Sequence, residues 1–132
     1  MVETKPASRP LSPHLQIYRP MLSMMMSITH RITGAALYVG TLLLVWWLVA
    51  AASSDDAFNW TQGFFSHWFG VIVLIGFSWA LIHHALGGVR HLIWDTGRGF
   101  NLATVEWLVR ANLIGSVGLT IVLWLVVYMA TP

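Results

Sequence analysis

The stretch Ile32–Ala52, ITGAALYVGTLLLVWWLVAAA, runs for 21 residues without a charged side chain. At 1.5 Å per residue, an α-helix of that length spans about 30 Å, which is the thickness of the hydrocarbon core of a bilayer. The polar, acidic run Ser53–Asp56 follows directly and ends the apolar stretch. The stretch therefore predicts a transmembrane helix.

The composition of the whole chain also indicates a membrane protein. Of its 132 residues, 57% are hydrophobic and 9% are charged, whereas roughly a quarter of the residues in an ordinary soluble domain are charged. The absence of cysteine excludes disulfides, thiolate metal sites and iron–sulfur ligation by this chain. The net charge of +2 is small, and no basic run indicates nucleic acid. Any chemistry must occur in or beside the bilayer, because three apolar segments leave no room for a separate soluble catalytic domain.

The chain divides into two parts on either side of residue 21. The first twenty residues contain four prolines and three basic residues, so residues 1–21 are expected to form an extended segment rather than a helix or a cleavable signal peptide. Residues 22–132 are expected to form a transmembrane domain, with helices at about residues 22–52, 65–96 and 104–130. The predicted fold class is an all-α integral membrane protein with three transmembrane helices.

The basic residues all lie at one end of the predicted helices. They are Lys5, Arg9, Arg19, Arg31, Arg90, Arg98 and Arg110. The opposite end has Asp55 and Asp56 in a loop, expected to be short and to reach about Phe64, and no basic residue. The positive-inside rule therefore predicts that the N-terminus and the second turn face the cytoplasm, or the matrix if the membrane is mitochondrial.

Polar residues collect at the inner end of the second predicted helix, in the stretch His83–Asp95, HHALGGVRHLIWD. On a helix they form two neighbouring faces, one with His84, Gly88, His91 and Asp95 and the other with His83, Gly87, Arg90 and Trp94. The glycines would let a flat ligand or another backbone lie close, and an imidazole beside such a gap could ligate a metal. Since the side chains of His83 and His84 point about 100° apart, one of them is expected to be structural.

A second polar stripe lies at the same depth on the first helix, where Ser27, His30, Arg31 and Gly34 follow helical spacing. Two polar patches at one depth predict a pocket, and polar groups in a membrane span usually face a cavity, a cofactor or another chain. Imidazole and guanidinium suit a haem and its propionates, while serine and arginine also suit a quinone. The residues alone leave both ligands open. The arginines Arg90, Arg98 and Arg110 are expected to be topology anchors or partners of lipid headgroups.

Three motifs resemble those of the succinate dehydrogenase cytochrome b556 subunit family in order and spacing. They are RPLSPHL from Arg9, SITHRITG from Ser27 and HALGGVRHLIWDTG from His84. The resemblance implies a membrane anchor of respiratory complex II that pairs with a second three-helix anchor in a heterodimeric helix bundle and carries the iron–sulfur and flavoprotein subunits. It implies one haem b shared between the anchors and ubiquinone as substrate, while succinate is oxidised on another subunit. A bacterial inner membrane is expected, because motifs that begin at Arg9 leave little room for a mitochondrial transit peptide.

The resemblance also implies roles for individual residues. His84 matches the family's axial haem ligand, and the second axial histidine would come from the partner anchor. Ser27 and Arg31 match quinone-site residues, while His30, Arg31 and His91 match residues around the haem propionates. Asp95 lies at a depth suited to supplying protons to the quinone.

Two other functions fit the same sequence features, and a third is disfavoured by them. One is a fumarate reductase anchor, which would share the architecture and work against a quinone of lower potential. Another is a haem-free structural anchor, in which the histidines and arginines only bind a partner helix and lipids. Proton or ion transport is disfavoured, because the spans lack a chain of acidic residues.

Overall fold

The structure, a computed structural model, describes residues 19–131. Its helices, in chain order, are α1 (Leu22–Ser53), α2 (Asp55–Ser66), α3 (Trp68–Asp95) and α4 (Leu102–Ala130). By length and composition α1, α3 and α4 can each cross a membrane. The all-α fold and the three predicted transmembrane helices are therefore confirmed. Most of the predicted extended segment, including the motif that begins at Arg9, lies outside the described residues.

The stretch between the first two spans is a helix, α2, and not the short loop that the sequence analysis expected. The hydroxyl of Ser54 caps α2 by accepting a hydrogen bond of 3.2 Å from the backbone N–H of Ala57. Asp55 and Asp56 occupy its first turn, where negative charge is favourable. The chain turns again at His67, so α3 begins at Trp68, three residues later than predicted.

α2 is attached to α1 through aromatic side chains. The ring of Trp46 lies 5.7, 5.6 and 5.7 Å from the rings of Trp60, Phe64 and Phe65. The indole Nε1 of Trp47 donates a hydrogen bond of 3.2 Å to Oε1 of Gln62. These contacts hold α2 against the end of the bundle opposite to the arginines.

The turn between α3 and α4 depends on glycine. Gly97 and Gly99 have φ values of +76° and +81°, a backbone conformation that side chains with a Cβ disfavour. Trp94 Nε1 donates a hydrogen bond of 3.2 Å to the carbonyl of Gly99. The Asn101 side chain accepts hydrogen bonds of 2.9 and 3.3 Å from two amides of the first turn of α4 and so caps that helix. The basic end of the bundle is therefore closed by a defined turn.

The spanning helices bury small and polar side chains and expose large apolar ones. The buried polar and charged residues are Thr33, Thr61, His83, Arg90, Asn112, Ser116 and Thr120. Many leucines, isoleucines and valines of the three spans are instead exposed. This distribution is typical of membrane helices, in which small residues permit close packing and apolar side chains face lipid or other subunits. The chain is a multi-pass membrane protein.

Candidate functional site

The two predicted polar patches meet where α1 packs against α3. The imidazole rings of His30 and His84 are stacked, with their centroids 4.0 Å apart and their planes 3° from parallel. Because α1 and α3 run antiparallel, residues near the start of one lie level with residues near the end of the other. The sequence analysis correctly placed these two histidines at one depth.

Each of these imidazoles lies over a glycine of the opposite helix. A Cβ at Gly34 of α1 would lie 3.0 Å from Cε1 of His84, and a Cβ at Gly87 of α3 would overlap the ring of His30. The close approach of the two helices therefore requires glycine at Gly87, and a Cβ at Gly34 would make a tight contact with His84. Gly88 differs, because a Cβ there would meet nothing within 4 Å. It leaves open space one turn from His84 on the same face of α3.

The hydrogen bonds of His84 determine which of its ring nitrogens is available. Nδ1 lies 3.1 Å from the backbone carbonyl of His30 and 3.4 Å from the hydroxyl of Thr33. Since a carbonyl only accepts hydrogen bonds, Nδ1 carries the proton and Nε2 carries the lone pair. Nε2 is neither hydrogen-bonded to the described residues nor buried. Such a nitrogen is oriented and polarised as a metal-ligating imidazole requires.

The neighbouring histidine has a structural environment. His83 is fully buried at 0% exposure, and its Nδ1 lies 3.2 Å from the hydroxyl of Ser116 on α4. Its ring also contacts Trp79, with centroids 5.1 Å apart. His83 therefore joins α3 to α4 and faces away from the open side of His84, in agreement with the expectation that one of the pair is structural.

The other histidine of the motif and the acidic residue that follows it lie at the surface. His91 is exposed, with its ring 5.3 Å from that of His30 and 5.2 Å from that of Trp94. Asp95 is exposed at the end of α3. His91 thus extends the imidazole pair toward the basic end, whereas the Asp95 side chain is exposed there.

Ser27 and Arg31 lie on α1 at the basic end, and both side chains are exposed. Their i, i+4 spacing places them side by side on the helix surface. The described residues do not enclose them, so the predicted pocket is not completed by residues 19–131. A cavity of about 460 Å³ lies elsewhere, toward the opposite end, with Leu44, Phe77 and Trp124 among its lining residues.

Arg90 is largely buried, which does not suit the expected contact with lipid headgroups, while its expected alternative role as a topology anchor stays a prediction. Only 4% of the residue is exposed, and its Cζ lies 5.1 Å from the centroid of the Trp94 ring. The cause is its position on the helix, since Arg90 shares a face of α3 with the buried residues His83 and Gly87. The face of α3 that carries His83, Gly87 and Arg90 could be predicted from the sequence, but its burial was not predicted.

The described residues contain no group of three histidine, cysteine or acidic side chains that could hold a metal ion. The α1–α3 interface instead presents one oriented imidazole nitrogen, that of His84. A metal bound there would need further ligands from outside residues 19–131.

Comparison with known proteins identifies the family of the chain. The succinate dehydrogenase/fumarate reductase transmembrane subunit family matches residues 5–127. The chain is 42% identical to the succinate dehydrogenase cytochrome b556 subunit of Paracoccus denitrificans, over 98% of this chain and 99% of that protein. It is 40% identical to the cytochrome b556 subunit of Rickettsia prowazekii, over 88% of this chain and 90% of that protein. It is also 40% identical to the cytochrome b560 subunit of Marchantia polymorpha, over 74% of this chain and 75% of that protein.

These matches cover the spanning helices and the loops between them, so the likeness is not limited to short motifs. The resemblance inferred from the three motifs is therefore confirmed. The chain belongs to the succinate dehydrogenase/fumarate reductase transmembrane subunit family and is a membrane-anchor subunit of a succinate dehydrogenase complex.

Proposed function

We propose that this anchor binds one haem b through His84 and forms part of the site at which ubiquinone is reduced. The observation that carries the proposal is the orientation of His84, whose Nδ1 is held by the carbonyl of His30 while Nε2 is left free. A second anchor subunit would supply a further histidine to hold the haem. Relatives named cytochrome b556 and b560 support a b-type haem.

The described residues fit a haem in three respects. His84 offers a neutral imidazole nitrogen, which is a common axial ligand of haem iron. The open space beside Gly88 can admit a flat macrocycle against α3. His30 and His91 lie beside His84 toward the basic end, where they can donate hydrogen bonds to propionates, with Arg31 as a further donor. When bound, the haem supplies a one-electron redox centre.

Ser27 and Arg31 act on the quinone. The two exposed side chains can reach a ligand that lies between this chain and its neighbours. The hydroxyl of Ser27 donates a hydrogen bond to a quinone carbonyl, and the guanidinium of Arg31 stabilises the negative charge that develops on that oxygen as electrons arrive. Quinone reduction also takes up two protons, and Asp95 at the exposed end of α3 helps to supply them from water.

The arrangement of charge supports an orientation in the membrane. The basic end of the bundle faces the cytoplasm of a bacterium, and α2 lies at the other surface. The iron–sulfur and flavoprotein subunits bind at the basic end, so that electrons from succinate enter beside Arg31. The bacterial relatives in Paracoccus and Rickettsia support this location.

The haem proposal is tested by reduced-minus-oxidised visible spectra of the detergent-purified complex. We expect His84→Ala to abolish or shift the b-type bands. The matched control is the neighbouring imidazole, and we expect His83→Gln, which keeps a hydrogen-bonding group beside Ser116, to retain them. An unchanged spectrum in the His84→Ala complex would disprove the ligand assignment.

The quinone proposal is tested by comparing two activities of the same complex. We expect Arg31→Gln to slow succinate-dependent ubiquinone reduction by roughly a hundredfold, which is typical of removing one preorganised donor to a developing anion. Reduction of a water-soluble dye by succinate, which needs no quinone site, should be unchanged. Arg98→Gln removes the same charge from the exposed turn and should alter neither activity. Equal ubiquinone reduction by the Arg31→Gln and Arg98→Gln complexes would refute the role of Arg31.

A further inference from the structure

Arg90 is a largely buried cation, of whose guanidinium only Nη2 is accessible, and it has no hydrogen-bond partner among the described residues. Its Nε and Nη1 atoms are inaccessible and have no partner among the described residues. The residue is 4% exposed, although it lies only five residues before the end of α3. The guanidinium contacts the face of the Trp94 ring, an interaction that does not neutralise its charge.

Arg90 also lacks an acidic neighbour. Within residues 19–131 the structure contains one ion pair, between Arg110 and Glu106 on the surface of α4. Asp95 lies five residues beyond Arg90 and is exposed, without an ion pair to it. Burying an arginine in a membrane span is costly, and the cost is not offset when no carboxylate is paired with it. Such residues in membrane spans are functional by default.

Arg90 lies close to the imidazole pair of His30 and His84 along α3. It lies six residues after His84 on α3, about 9 Å along the helix axis. Gly87, over which the ring of His30 lies, is one turn before it. A charge at this distance in a poorly screened interior acts on any group whose own charge changes beside His84.

We propose that the largely buried cation of Arg90, which has no ion-pair partner among the described residues, raises the reduction potential of the redox group that His84 holds. This inference rests on the proposed function, since it requires a haem at His84. Reduction adds one negative charge to that group, and a fixed cation favours the reduced form. At an effective dielectric constant of about 20, a unit charge about 10 Å from another changes such an equilibrium by roughly tenfold, which sets the scale of the expected effect.

The test is a potentiometric titration of the b-type absorbance in the intact complex. We expect Arg90→Gln to shift the ratio of reduced to oxidised haem by about tenfold toward the oxidised form, equivalent to about 59 mV lower for one electron. Arg90→Lys keeps the charge and should retain most of the native potential. Arg98→Gln removes an equal charge from the exposed turn, where water and salt screen it, and should leave the potential unchanged.

The outcomes separate this inference from the haem assignment. A native potential in an Arg90→Gln complex with full haem content would overturn the inference and leave the ligand His84 untouched. An equal drop in the Arg90→Lys and Arg90→Gln complexes would show a packing effect instead of a charge effect, and would also overturn it. Absence of haem from the unmutated complex would instead refute the proposed function.

A second neutral variant keeps the test decisive if the Arg90→Gln complex does not fold. Arg90→Met places no polar group in the apolar interior, and we expect it to show the same tenfold shift as Arg90→Gln. If both neutral variants assemble without haem while Arg90→Lys assembles with it, the charge serves assembly and the inference fails.

Discussion

Replacing Gly87 with alanine would place a methyl group against the imidazole of His30. The added Cβ would lie 2.8 Å from Cε1 of that ring, compared with about 3.5–4.0 Å for an unstrained carbon–carbon contact. Either the His30 ring or the whole of α1 must move by several tenths of an ångström. A shift of α1 would also lengthen the bond of 3.1 Å between the carbonyl of His30 and Nδ1 of His84.

The expected magnitude follows from two opposing effects. Overpacking a close contact costs about 1–3 kcal/mol, while alanine in place of glycine stabilises a helix by about 1 kcal/mol. Gly76→Ala isolates the second effect, because a Cβ at Gly76 of α3 would meet nothing within 4 Å. We therefore expect Gly87→Ala to be about 1–3 kcal/mol less stable than Gly76→Ala, since both variants share the gain in helix propensity.

The assay is the temperature at which the purified complex loses its b-type absorbance, measured for both variants at one heating rate. The Gly87→Ala complex should lose the absorbance at a lower temperature, and its spectrum should differ from the native one because the orientation of His84 is disturbed. Equal thermal stability of the two variants, with native spectra in both, would refute the claim that the close approach of His30 to α3 requires glycine.

Two further predictions concern stability away from the haem. Ser116→Ala should destabilise the protein by about 1–3 kcal/mol in detergent unfolding, because it leaves Nδ1 of the buried His83 without its partner. Adding His83→Phe to Ser116→Ala should recover part of this loss. If the destabilisation of the double variant equals the sum of the two single destabilisations, the pairing is contradicted. Ser54→Ala should destabilise α2 by about 1 kcal/mol through loss of its cap, seen as faster proteolysis within Asp55–Ser66. Ser53→Ala, whose hydroxyl bonds back to Val49 within α1, is the control and should not accelerate that proteolysis.

The spanning helices could be predicted from the sequence because their apolar stretches are long and the residues that end them are distinctive. Ser53–Asp56 ends the first span, and the glycines at positions 97 and 99 form the second turn. The helix α2 was missed because its twelve residues are polar enough to suggest a loop. Ser54, Asp55 and Asp56 are typical of the start of a helix, but they were interpreted only as the end of the first span.

The histidines of the site could be predicted in part. Helical spacing placed His30 and His84 at one depth, and the structure shows them stacked. Spacing could not show which ring nitrogen of His84 is free, because that depends on the backbone carbonyl of His30, a contact between residues 54 positions apart. The burial of Arg90 was likewise beyond prediction from spacing, since it depends on which face of α3 packs inward.

The most direct test of the account uses a complex in which glycine replaces His84 and free imidazole is then added. If Nε2 of His84 ligates the haem iron, His84→Gly removes the ligand and leaves a space between α1 and α3 that imidazole can enter. We predict that the variant lacks the native b-type spectrum and regains it as imidazole is added, whereas His83→Gln, which keeps a hydrogen-bonding group beside Ser116, shows the native spectrum throughout. A native spectrum in the His84→Gly complex before any imidazole is added would contradict the account.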